Sequence, residues 1–352
     1  MIIGAIEKLI GKTPMVKVEG ILAKLETTNP TGSIKDRMAW YMVKKAEERK
    51  KLKPGMEIIE VTSGNTGISF AMISAVKGYK FTAIMPESMS IERRKIMRLF
   101  GAEIILTPSK EDMAGAMRKF KEIIKKKKNV WLPRQFENKD NIKAHELGIG
   151  KEILKETKGK IDAFVAGVGT GGTLIGVAKA LKKANPKVKI VAVEPAESPV
   201  LSGGKPSLHK IQGIGEGFIP KLVQENIDII DEVIAIKSKD AIKMSKELAR
   251  KYGLLVGISS GANFLAAKQL RKKYQRIVTV FPDRGERYLS LFLNTQKNNH
   301  APEGITPNIL RIKEAHEVSL GEPKASRLSA VSCPVRIGAT ERSEEVRRSP
   351  PI

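Results

Sequence analysis

The chain has 352 residues, 41% hydrophobic and 29% charged, enough to bury a sizeable core and fold as two lobes. Its net charge of +25 lies on lysines spread along helical segments, and with 5% aromatics there is no stacking platform, which excludes nucleic acid as the target and favours a field that gathers small anions. One cysteine (Cys333), histidines without ligand spacing (His145, His209, His300, His316), no membrane-length apolar run and no signal-peptide layout exclude a disulfide framework, a metal cluster and a membrane span, so a cytoplasmic protein is expected.

In chain order, a short helix at 1–10 precedes Gly11-Lys12-Thr13-Pro14 and two strands at 15–18 and 21–26. A helix follows at 36–51, with Met38, Met42, Val43 and Ala46 at helical spacing. Strand and helix then alternate: 57–61, a helix to 76, 80–85, 90–100, 103–107 and 111–127. A second set has a helix at 144–155, a strand at 161–167, a helix at 174–183 and a strand at 188–194. After a Gly/Pro-rich loop at 198–220 come a strand at 232–236, helices at 238–252 and 260–272, and a strand at 276–281. This βα alternation predicts an α/β fold of two lobes, each a mainly parallel sheet flanked by helices. From residue 295 the periodicity is lost and an irregular tail, 295–352, is expected.

The stretch Asn29-Pro30-Thr31-Gly32-Ser33-Ile34-Lys35-Asp36-Arg37 places a lysine at the mouth of a helix, with Ser33 as the expected N-cap. The positive end of the helix dipole disfavours an ammonium there, a route to a nucleophilic amine. Two further loops leave a strand and open a helix, where unpaired N–H groups favour anions. Gly169, Thr170, Gly171, Gly172 and Thr173 suit a phosphate. Thr62-Ser63-Gly64-Asn65-Thr66-Gly67 crowds hydroxyls and an amide at a helix start and suits a carboxylate. The glycine loop lacks the dinucleotide-binding pattern, although Glu194 at the end of the next strand keeps a nicotinamide reading in view; no Walker lysine follows either loop. An imine-forming lysine, a phosphate cup and a carboxylate cup together point to pyridoxal 5′-phosphate (PLP) chemistry on an amino acid.

The sequence resembles the cysteine synthase (O-acetylserine sulfhydrylase) family of PLP enzymes, fold type II, whose fold is that of the tryptophan synthase β chain. The resemblance rests on the segments above and on Met85-Pro86-Glu87-Ser88-Met89-Ser90, Gln135-Phe136-Glu137-Asn138, His209-Lys210-Ile211-Gln212-Gly213-Ile214-Gly215, Gly257-Ile258-Ser259-Ser260-Gly261 and Gly285-Glu286-Arg287-Tyr288, in order over about residues 5–293.

By this resemblance Lys35 carries the cofactor and acts as base, residues 169–173 hold its phosphate, Asn65 bonds the phenolic oxygen and Ser259 the pyridine nitrogen. Ser259 also reads as a plain helix N-cap. Thr62, Ser63, Thr66 and Gln135 would grip the substrate carboxylate, with Gly213 on the opposite wall. The implied reaction converts O-acetyl-L-serine and sulfide to L-cysteine through an aminoacrylate. Alternatives are O-phosphoserine as substrate, a cystathionine β-synthase-like activity, and a silent PLP-binding regulator. Arg284 resembles the B-type isozyme and would meet an anion or form a surface ion pair. The resemblance also implies a small mobile lobe at 36–137 closing on a large lobe of 1–35 and 138–294, a homodimer, and serine acetyltransferase as a partner.

Overall fold

The computed structural model describes residues 4–62 and 64–293. Helix α1 (Gly4–Leu9) leads to strands β1 (Met15–Val18) and β2 (Ile21–Leu25), joined through Glu19 and Gly20 at φ 47° and 81°, a two-residue hairpin turn that suits strand twist. Helix α2 (Lys35–Glu48) follows. Then come β3 (Glu57–Val61), α3 (Asn65–Lys77), β4 (Lys80–Pro86), α4 (Ile91–Leu99), β5 (Glu103–Thr107), α5 (Asp112–Lys126) and the short β6 (Val130–Trp131). The second set comprises α6 (Lys139–His145), α7 (Lys151–Thr157), β7 (Ala163–Gly167), α8 (Gly172–Ala184), β8 (Lys189–Pro195) and α9 (Lys221–Gln224). It ends with β9 (Glu232–Ile236), α10 (Ser238–Tyr252), α11 (Ile258–Leu270), β10 (Ile277–Phe281) and α12 (Leu289–Phe292).

Two sheets result. One has the order β5-β4-β3-β6 and is parallel throughout; the other runs β1-β2-β10-β7-β8-β9 and is parallel except for the β1–β2 hairpin. Both faces of each are apolar. In β7, Ala163 and Val165 join one core cluster while Phe164 and Ala166 join another, and in β3 Ile58 and Ile59 divide likewise. Side chains alternate across a strand, so continuous apolar runs such as Phe164-Val165-Ala166 serve two helical layers at once.

Strands β3, β5, β9 and helix α10 occupy the residues their patterns predict. The helix expected at 144–155 differs. It begins at Lys139, where Asn138 caps by accepting from Asp140 N (3.0 Å), and is interrupted by a π turn at Glu146–Gly150. The π turn sits over the Gly148 and Gly150 pair, where helix propensity is weak. Ser33 is not the N-cap of α2. Ile34 takes that position, and the Ser33 hydroxyl meets only Lys35 N at 3.4 Å. Ser259 is not a cap either, since α11 begins at Ile258 with Gly257 as N-cap. The expected tail at 295–352 and Ser63 lie outside the described residues. Among the described residues no helix is long and apolar enough to cross a membrane.

Candidate active site

Lys35 is the first residue of α2, and the turn before it is pinned from both sides. Ile34 N donates to Pro282 O (2.8 Å), Arg284 N donates to Gly32 O (3.2 Å), and Ser33 bridges to Asp283. The two residues after it are tied down as well. Buried Asp36 accepts from Thr31 N (2.7 Å), Thr31 Oγ1 (2.5 Å) and Ser69 Oγ (2.5 Å). Buried Arg37 forms a fork with Glu26 (2.6 and 2.9 Å) and Glu152 (2.7 and 2.8 Å). Lys35 alone of the three lines a cavity. Burial lowers its pKa, while the carboxylates of Glu216 and Asp283 pull it partly back up. Desolvation thus acts in the same direction as the helix terminus.

One cavity lies at the carboxyl ends of β7 and β10, where ligands gather in parallel sheets. Its lining includes Lys35, Asn65, Gly169, Thr170, Gly171, Thr173, Gly213 and Ser259. Gly171 adopts φ +83°, and α8 starts at Gly172 with first-turn N–H groups that have no intrahelical partner. A Cβ on Gly169 would lie 2.4 Å from Gly213 O, and one on Gly172 would lie 2.0 Å from Asn141 Oδ1, so side chains are excluded there. Thr170 Oγ1 accepts from Asn141 Nδ2 (3.0 Å), leaving its own proton to donate. Thr173 Oγ1 lies 3.4 Å from Nε2 of buried His145, a ring kept neutral by burial and then by Lys35 and Arg37. An anion cup at one end, the buried Ser259 hydroxyl, and an amine of lowered pKa form a donor set that fits PLP.

The second cavity adjoins the first: Lys35, Asn65, Thr170 and Gly213 line both. Thr62, Thr66 and Gln135 lie on its wall, all at most 5% exposed. Thr66 Oγ1 donates to Gln135 Oε1 (2.8 Å). Thr62 Oγ1 accepts from Gly67 N (3.1 Å) and Gly64 N (3.3 Å), which satisfies one first-turn N–H of α3 and leaves its own O–H to donate. The structure therefore brings the described candidates Lys35, Thr62, Asn65, Thr66, Gln135, Gly169, Thr170, Gly171, Thr173, Gly213 and Ser259 to the walls of these two cavities, with Gly172 behind them at the start of α8.

Several functional neighbours had no signal in the local pattern. Asn65 Nδ2 donates to Asp283 Oδ2 (2.6 Å) and its Oδ1 accepts from Arg287, so the amide is held at both ends. Tyr288 OH donates to the same carboxylate oxygen (2.5 Å), and the Arg93 guanidinium lies 5.2 Å from the Tyr288 ring centre. Asn141 joins the two cavities, since its Nδ2 donates both to Thr170 Oγ1 and to Gln135 O (2.8 Å). Arg284 corrects both expectations for it. It is exposed, donates to Thr27 O (2.8 Å), packs over Gly32 and lines neither cavity. Glu194 is occupied by a loop, accepting from Leu201 N (2.8 Å) and Ser202 Oγ (2.5 Å), which removes the support for a nicotinamide ribose there.

Comparison with known proteins agrees with this geometry. The model of the pyridoxal-phosphate dependent enzyme family matches residues 6–283. A cysteine synthase of Staphylococcus aureus is 50% identical over 297 residues, covering 81% of this chain and 95% of the relative. The solved cysteine synthase of Entamoeba histolytica has a TM-score of 0.80 at 42% identity, covering 85% of this chain and 92% of its own. A hydrogen sulfide-producing enzyme of Fusobacterium nucleatum has a TM-score of 0.79 at 46% identity, covering 85% and 93%.

Proposed function

This chain belongs to the pyridoxal-phosphate dependent enzyme family, and from that premise we propose that it forms L-cysteine from O-acetyl-L-serine and sulfide, with Lys35 as its base. The observation that carries this reading is the pair of adjoining cavities, one with an anion cup and one with a carboxylate cup, that meet at Lys35.

Residues 169–173 would hold the cofactor phosphate, Ser259 the ring nitrogen and Asn65 the phenolic oxygen. When bound, PLP supplies an electron sink that lets the α-proton of an amino acid leave. Thr62, Thr66 and Gln135, with Ser63, hold the substrate carboxylate and so direct the α-carbon toward Lys35. The amine, its pKa lowered by burial, takes the α-proton and later returns it to the same carbon. Between these transfers the Cβ–O bond breaks, acetate leaves, and a Cβ–S bond to sulfide forms. The position of Arg284 outside both cavities supports O-acetylserine over O-phosphoserine. A silent binding protein would have no use for a buried amine of lowered pKa.

Protein loaded with PLP should release cysteine from O-acetylserine and sulfide, and O-acetylserine alone should shift the visible absorbance of the cofactor. No cysteine from O-acetylserine, O-phosphoserine or serine would overturn the reading.

The same resemblance supports the finer organisation. Residues 36–137 form a small lobe that closes on 1–35 and 138–294, the protein is a cytoplasmic homodimer, and serine acetyltransferase docks its C-terminal segment at the active site. Sedimentation should give twice the chain mass of 38.7 kDa, and an acetyltransferase C-terminal peptide ending in isoleucine should raise KM for O-acetylserine. A monomer, or a KM indifferent to the peptide, would remove the respective claim.

A further inference from the structure

Glu60 is a carboxylic acid buried in β3, two residues before the carboxylate cup begins at Thr62. Alternation places it on the face of Ile58, beside a core of Phe70, Ala83 and Trp131, where an unpaired charge is costly. Its Oε2 accepts from Arg134 N (2.8 Å), and the backbone N–H of Gln135 also hydrogen-bonds to it. Arg134 is held at φ 54°, a left-handed conformation that a non-glycine residue adopts only when its surroundings impose it. The turn thus delivers the Gln135 side chain to Thr66 Oγ1 (2.8 Å) and its carbonyl to Asn141 (2.8 Å).

We propose that Glu60 is a positioning residue for the substrate carboxylate, acting through Gln135 by holding the Arg134–Gln135 backbone against β3. The proposal rests on reading Thr62, Thr66 and Gln135 as the carboxylate cup.

A titratable consequence follows from the burial. Desolvation, with a smaller push from Glu137, raises the Glu60 pKa to about 8 against the two backbone N–H groups and Arg134, which lower it. Arg134 and Glu137, both on the turn, are the charged groups acting on it, while the helices α2 and α3 on its face contribute apolar Ala46 and Phe70. Ionisation above this pKa puts a negative charge behind a site built for a carboxylate, so substrate should bind less tightly as pH rises through that range.

The test is the pH profile of KM for O-acetylserine in holoenzyme. Glu60→Gln should lose the rise in KM that the unmodified enzyme shows near the Glu60 pKa, with kcat little changed. Glu60→Asp, which withdraws the carboxyl by one methylene, should raise KM by about tenfold while the visible spectrum of bound PLP is kept. Gln135→Ala should raise KM at least as much. If Gln135→Ala leaves KM unchanged, the carboxylate-cup reading fails. If it raises KM while Glu60→Asp does not, or while the Glu60→Gln profile overlays that of the unmodified enzyme, only the Glu60 proposal falls. Should Glu60→Gln fail to fold, the Glu60→Asp measurement alone decides.

Discussion

Replacing Lys35 with alanine should lower turnover by at least about 10⁴-fold, the scale seen when a residue that acts as both covalent anchor and base is removed. The flanking Asp36 and Arg37 are engaged with Thr31 and Ser69, and with Glu26 and Glu152. His145, buried beside the 169–173 loop, contacts Thr173. The alanine protein should still take up PLP through residues 169–173 and Ser259, because the phosphate cup does not involve the lysine side chain. Borohydride should then no longer fix the cofactor to the chain. Full turnover by Lys35→Ala would end the assignment.

Arg37→Met should destabilise the fold by about 3–5 kcal/mol, the range for removing one partner of a buried ion pair. The guanidinium joins Glu26 on the segment after β2 to Glu152 on α7, and Glu26 is wholly buried. Without it Glu26 keeps hydrogen bonds from Thr13 Oγ1 (2.7 Å) and Asn29 Nδ2 (2.8 Å), which carry no charge. Buried Lys24 still pairs with Glu152 (3.0 Å) and Glu156 (2.8 Å), so the variant loses one centre of the cluster and not all of it. Burial pushes the Glu152 carboxyl up, but Arg37, helped by the Lys12 N–H and Lys24, holds the pKa at about 2 against an ordinary 4.5. A depressed carboxylate contributes stability above its unfolded pKa and loses it as pH falls toward the folded one. The gap between the two proteins in urea unfolding should therefore be widest near neutral pH and narrow between about pH 4.5 and 2. An equal gap across that window would show that Arg37 acts by packing alone.

The lysine turn and the two cups were legible because each is a local event. A glycine or hydroxyl cluster between a strand and a helix exposes backbone N–H groups wherever the chain later folds. For the same reason β3, β5, β9 and α10 matched their patterns to the residue. The expectations that failed depended on neighbours. Ser33 lost the cap because its segment is bridged to Asp283, and Arg284 was drawn to Thr27 O, 257 residues away in sequence, instead of an anion. The buried carboxyl of Glu60 gave no outward sign either, since a glutamate in a short strand reads as solvent-facing until its face of the sheet is known.

By itself, then, the order of residues determined the alternating βα architecture and which short stretches could hold a phosphate, a carboxylate and an amine, because propensity, periodicity and helix-end chemistry act over a few residues. Only the tertiary structure decided that these stretches face one another. It also determined that Asn65 is locked by a carboxylate 218 positions away and that Thr66 meets Gln135 across 69. The reason is that parallel strands are joined by long crossovers. Their carboxyl ends therefore gather loops distant in sequence, and contacts among those loops leave no period in the chain.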